Sequence, residues 1–103
     1  LMSDPEILLL DEPAAGLDLG GREDILTRIS TYTSESTAPV TIIVTHHIEE
    51  IPAGTTHVMM LKDGAVAIAA PIEEALNAEN LQTVFGVEVE LSRINGRYFA
   101  SRR

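Results

Sequence analysis

Asp11 and Glu12 stand side by side directly after Ile7-Leu8-Leu9-Leu10, and a third carboxylate, Asp18, follows Pro13-Ala14-Ala15-Gly16-Leu17. A second apolar run, Val40-Thr41-Ile42-Ile43-Val44, ends in Thr45-His46-His47. Unbroken apolar runs of this length suit strands covered on both faces, as in a parallel sheet with helices on each side. Polar groups beyond the carboxyl ends of such strands face the crevice where open α/β sheets bind ligands. Adjacent acids in that place are suited to hold a divalent cation and to take a proton from a nucleophile.

The elements that must position these groups follow from the patterning between them. Ile25, Leu26, Ile29 and Tyr32 recur at helical spacing and predict an amphipathic helix of about three turns. Asp18, Glu23 and Asp24 near its start favour the helix dipole. Thr33 to Pro39, rich in Ser, Thr and Pro, reads as a loop. Strand, helix, strand is the crossover unit of a parallel sheet, so both polar strand ends open on one edge. That topology alone brings Asp11, Glu12 and His46 together.

Further along, Ile48 to Ile51 predicts a short helical turn stopped by Pro52. His57–Leu61 and Ala65–Ala69 flank Lys62-Asp63-Gly64, a strong hairpin signal. Pro71 suits a helix start with Glu73 and Glu74 in its first turn, and a second short helix runs from near Glu79 to Phe85. Val87 to Leu91 alternates as a half-exposed strand, and Asn95-Gly96 turns it back into Arg97–Ala100. Ser101-Arg102-Arg103 is expected to fray.

Bulk properties bound the reading. With 103 residues the chain is at most one domain, and 45% apolar content is ordinary for a globular protein. A net charge of −9 argues against a nucleic-acid or anionic-membrane surface. The absence of cysteine excludes disulfides and thiolate metal sites. No apolar stretch is long enough to span a bilayer.

Ile7 to Pro13 resembles the Walker B motif of ATP-binding-cassette (ABC) ATPases, with the Asp-Glu-Pro ending those proteins favour. Ala15-Gly16-Leu17-Asp18 is similar to their D-loop, and Val44-Thr45-His46 to their switch-histidine loop. Pro13 and Gly64 also fall where the family usually has them, and the resemblance runs from Ser3 through the small helices. It implies an α/β fold: a partial P-loop NTPase-type parallel sheet with flanking helices, followed by a carboxyl-terminal appendage of hairpin and short helices. The expected division is 1–70 for the ATPase part and 71–103 for the terminal helices and strands.

The resemblance also implies roles. Asp11 would hold Mg²⁺, through water. Glu12 would accept a proton from the water that attacks ATP, or orient it. His46 would hydrogen-bond the γ-phosphate and keep water and base in line, and Asp18 would lie at a dimer seam coupling two nucleotide sites. Implied partners are a second ABC ATPase subunit and integral membrane permease subunits, with no nucleic acid, at the cytoplasmic face of the membrane. Glu79-Asn80-Leu81 and Val84-Phe85-Gly86-Val87 resemble the end of ATPases that serve importers of iron-chelate type.

Blander readings apply to the remaining polar residues. His46 and His47 as a metal pair lack an evident third ligand, so His47 is assigned a supporting place beside His46. His57 is structural, Glu49 and Glu50 form a solvated face, and Met59 and Met60 fill a strand. A soluble ABC ATPase of DNA repair or translation, or a non-catalytic interaction module, are the alternative functions. No Gly-x-x-x-x-Gly-Lys-Ser/Thr loop occurs in the 103 residues, nor the family's glutamine loop or signature, which normally precede the Walker B strand. The sequence thus corresponds to the carboxyl-terminal part of a cassette, expected by itself to bind ATP weakly and hydrolyse it negligibly.

Overall fold

The computed structural model describes residues 7–103. They fall into two compact units, the first reaching to Gly54 and including Asn95–Arg97, the second comprising Thr55–Ile94 and Tyr98–Arg103.

In the first unit, strand β1 (Ile7–Asp11) leads through a turn to helix α1 (Leu19–Thr33) and strand β2 (Val40–Val44). β1 and β2 pair in parallel, from Ile7 opposite Val40 to Asp11 opposite Val44, so both polar ends lie on one edge. The helix is longer than the apolar spacing predicts, because Asp18 caps it: its Oδ1 accepts the Gly21 backbone N–H at 2.8 Å. Leu26 and Ile29 are buried, whereas Tyr32 is 43% exposed. Tyr32 sits about a quarter-turn off the Leu26–Ile29 line, so the predicted apolar face loses its last member. With the helix starting at Leu19, Glu23 and Asp24 fall beyond its first turn, where the dipole effect fades.

The expectation of strands covered on both faces does not hold among the described residues. Exposure alternates along β1 and β2, leaving Ile7, Leu9, Val40, Ile42 and Val44 exposed while Leu8, Leu10, Thr41 and Ile43 are partly covered. Side chains alternate faces along a strand, and one crossover helix can cover only one of them.

The second unit opens with β3 (His57–Lys62) and β4 (Ala65–Pro71), antiparallel around Asp63-Gly64. Both turn residues have left-handed φ, 53° and 77°, as a two-residue type I′ hairpin requires. Pairing shifts from Met60–Ile68 to Leu61–Val66, which leaves Ala67 as the extra residue of a β-bulge. Helix α2 (Ile72–Ala75) follows Pro71, and α3 (Ala78–Phe85) starts at an Asn77 cap and stops at left-handed Gly86. Met60, Ile72, Ala75, Leu76, Leu81, Val84 and Tyr98 are the buried apolar residues of this unit. Met60 is therefore core, while Met59 is exposed.

Strands β5 (Val89–Ile94) and β6 (Arg97–Arg102) pair around Asn95-Gly96, whose φ values of 52° and 77° repeat the type I′ geometry. The predicted strand begins two residues later than its alternation suggests. The tail does not fray from Ser101: β6 continues to Arg102, and the Arg103 N–H donates to the Glu88 carbonyl at 3.1 Å. Among the described residues, no helix is long and apolar enough to cross a membrane.

Candidate active site

The β1–β2 ladder carries its order one residue beyond Asp11, because the Glu12 N–H donates to the Val44 carbonyl at 2.8 Å. Glu12 then turns into the left-handed region with φ at 51°. A non-glycine residue there is uncommon, and Pro13 restricts Glu12 further. Ala14, almost fully buried, anchors the following turn, in which the Ala15 N–H reaches the Glu12 carbonyl at 3.0 Å. Gly16, with φ at 78°, supplies the left-handed step that leads the chain to Asp18 and α1.

From the neighbouring strand end, His46 meets this turn. Its Nδ1 lies 2.5 Å from Glu12 Oε1, although 34 residues separate the two in sequence. The imidazole is 82% exposed and the Glu12 side chain 27%, so the carboxylate is tucked in and the ring presents its far edge outward. A carboxylate can only accept, so Nδ1 carries the proton in this contact.

The loop holding His46 is braced from within. Thr45 Oγ1 donates to Glu50 Oε1 at 3.1 Å and accepts the His47 N–H at 3.1 Å. Glu50 is buried in the 3₁₀ turn Ile48–Glu50, and the Glu49 backbone carbonyl accepts from Arg97 Nη2. The expected solvated face at Glu49 and Glu50 is thus corrected: a buried carboxylate must be hydrogen-bonded, and Thr45 satisfies it. His47 stays beside the site, its Nδ1 3.8 Å from Glu49 Oε1. His57 Nδ1 lies 3.0 Å from the hydroxyl of its neighbour Thr56, which suits a structural place.

Arg97 grips Glu23 of α1 with both arms of its guanidinium, Nη1 to Oε1 at 2.9 Å and Nη2 to Oε2 at 3.1 Å. The hydrogen bonds from Arg97 hold the Glu23 carboxyl below its ordinary range; desolvation opposes them, and the charges of Arg97 and Arg22 assist. Sequence reasoning placed Thr45 in the histidine loop without its bond to Glu50, and missed Glu50, Glu23 and Arg97 as parts of this neighbourhood. Only the Ser/Thr-to-acid spacing of Thr45 and Glu50 offered any local signal.

The strand edges therefore bring Glu12 and His46 into contact, with Asp11 exposed at the same strand end. Asp18 stands at the head of α1, its carboxylate engaged as the cap and otherwise exposed. Among the described residues no group of three or more acids or histidines is arranged to hold a metal. Asp11 offers one hard oxygen donor, which fits an ion such as Mg²⁺ that takes its other ligands from water and phosphate.

No family model matches the chain. The uncharacterized ABC transporter ATP-binding protein YlmA of Bacillus subtilis is 37% identical over 102 residues, 99% of this chain and 39% of that one. The energy-coupling factor transporter ATP-binding protein EcfA2 of Acetivibrio thermocellus is 34% identical over 85 residues, 82% of this chain and 30% of that one. The chain thus spans less than two fifths of the length of these relatives. A solved transporter assigned to the metal-chelate ABC type, in an inward-facing conformation, matches 92% of this chain and 38% of its own with a TM-score of 0.70 and 20% identity, a likeness of fold. Similarity that runs along nearly all of its residues, through the acid pair, the capped turn and the histidine loop in that order, means that the chain belongs to the ABC transporter ATP-binding protein family.

Proposed function

We propose that these residues form the water-activating part of the ATP site in the nucleotide-binding subunit of an ABC transporter. The observation that carries this reading is the 2.5 Å contact between Glu12 Oε1 and His46 Nδ1, which joins the two strand ends through the two residues the chemistry needs. Phosphoryl transfer to water depends on positioning and charge stabilisation. Glu12 orients the attacking water and accepts its proton as the oxygen adds to the γ-phosphorus and the bond to ADP breaks. His46 holds Glu12 through Nδ1 and leaves Nε2 on the outward edge of the ring, free for the γ-phosphate. Asp11 would hold Mg²⁺, which would supply charge neutralisation at the phosphates of ATP.

A phosphate-binding loop supplied by other residues grips ATP, a second ATPase subunit meets this one near Asp18, and permease subunits anchor the pair at the cytoplasmic face of a membrane. The Phe85-Gly86 end and the likeness of fold to a metal-chelate-type transporter favour an importer of iron-chelate type.

The test is Glu12→Gln in the protein expressed from its complete reading frame. We expect ATP to bind as before while turnover falls by about a hundredfold or more, the contribution of a general base. The 103-residue chain by itself serves as the baseline, with weak ATP binding by titration calorimetry and negligible hydrolysis. Wild-type turnover in Glu12→Gln would overturn the assignment.

A further inference from the structure

Residues 45–53 follow the end of β2 and are tied down at three points. Thr45 bonds Glu50, the Glu49 carbonyl accepts from Arg97, and the Ala53 carbonyl accepts from Ser30 Oγ of α1 at 2.8 Å. The middle tie is unlike the others. Arg97 comes from a hairpin turn 74 residues from Glu23 and 48 residues from Glu49, yet its side chain is only 12% exposed. One guanidinium bridges a carboxylate near the head of α1 and a backbone carbonyl just after His46-His47. At the adjacent position, a Cβ on Gly96 would lie 3.3 Å from Ala53 Cβ, and the φ of 77° there disfavours any side chain. The turn is thus seated closely against the loop it braces.

We propose that Arg97 is a positioning residue for ATP hydrolysis, fixing the His46 loop against α1 so that His46 Nδ1 stays on Glu12. The inference rests on the reading of Glu12 and His46 as the water-positioning pair. An ordinary surface ion pair would add little, because exposed charge pairs are weak and readily replaced. Arg97 differs in geometry: its planar fork meets both carboxylate oxygens of Glu23 while a second bond from the same nitrogen reaches the Glu49 carbonyl. The lysine ammonium restores charge opposite Glu23 but cannot reproduce that span. The depressed Glu23 carboxyl range agrees with a tight, charge-assisted grip. Small errors of placement are costly in catalysis, since a displacement of about 1 Å can lower a rate by about a hundredfold.

The experiment measures kcat, KM for ATP and thermal midpoint for Arg97→Ala, Arg97→Lys, Glu23→Gln and His46→Ala, and for the double variant Arg97→Ala/His46→Ala, in the protein expressed from its complete reading frame. We expect Arg97→Ala to lower kcat by about tenfold or more while KM stays within about twofold, the signature of a lost positioning effect. Arg97→Lys should recover most of the thermal midpoint but little of kcat. In the His46→Ala background, Arg97→Ala should lower kcat no further, because the two act through one contact. If Arg97→Ala does not fold, Glu23→Gln, which spares the bond to the Glu49 carbonyl, gives a smaller fall in kcat at unchanged KM. Wild-type kcat in Arg97→Ala, rescue of both quantities by Arg97→Lys, or multiplicative effects with His46→Ala would overturn the proposal. Failure of the underlying reading is distinct, because Glu12→Gln and His46→Ala would then themselves keep full turnover.

Discussion

Glu12 occupies a left-handed backbone well, φ at 51°, that costs an L-residue about 1–2 kcal/mol. A glycine at this position would escape that cost while adding about 0.5–1 kcal/mol of chain entropy in the unfolded state. In the His46→Ala background, where the Glu12–His46 bond is already gone, Glu12→Gly should therefore raise the stability of the fold by between about 0 and 1.5 kcal/mol, read as a higher urea midpoint, while turnover is lost. Such opposition between stability and activity is what a strained functional residue produces. A lowered midpoint for Glu12→Gly in that background would mean that the backbone of the wild type is relaxed there. The strain has a structural source in the hydrogen bond from the Glu12 N–H to Val44, which extends the ladder, followed at once by the turn to Pro13.

At the level of elements, the head of α1 joins two demands on Asp18. Its carboxylate caps the helix through Gly21, and we propose that it also meets a second ATPase subunit at a dimer seam. A Cβ on Gly21 would come within 3.2 Å of Asp18 Oδ1, so the glycine leaves room for the cap. Asp18→Ala should lower the unfolding free energy by about 1 kcal/mol, whereas Asp18→Ser should retain most of it, since serine caps nearly as well. If the charge also serves the seam, Asp18→Ser should keep the wild-type melt and lose ATP-dependent dimerisation in sedimentation velocity. A serine variant that dimerises normally would confine Asp18 to capping.

For the whole molecule, the uncovered face of the β1–β2 pair has the largest consequence. Ile7, Leu9 and Val40 are each at least 60% exposed on it, with Ile42 and Val44 alongside. A contiguous apolar sheet face with open strand edges favours association. The net charge of −9 opposes this without removing the cause. The 103-residue chain should therefore self-associate at micromolar concentration, with a sedimentation mass that rises with concentration. Paired Leu9→Lys and Ile42→Lys substitutions should return it to a monomer. A monomeric wild-type chain with a sharp, reversible melt would contradict this account.

The sequence by itself determined whatever local chemistry decides. Two β-branched and aliphatic runs became paired parallel strands, and Asp63-Gly64 and Asn95-Gly96 became type I′ turns because few other residues accept left-handed φ twice in succession. The order of Asp11, Glu12, Asp18 and His46 was sufficient to expect a shared edge, since a strand-helix-strand crossover leaves both carboxyl ends together. Only the tertiary structure decided how Glu12 turns, which atom of His46 it meets, that Glu50 is buried and that Arg97 braces the loop from a hairpin far along the chain. Those outcomes depend on side-chain pairs 5 to 74 residues apart, whose energies arise from desolvation and geometry in the folded state. Such pairs leave no period in the sequence, so tertiary packing alone could select them.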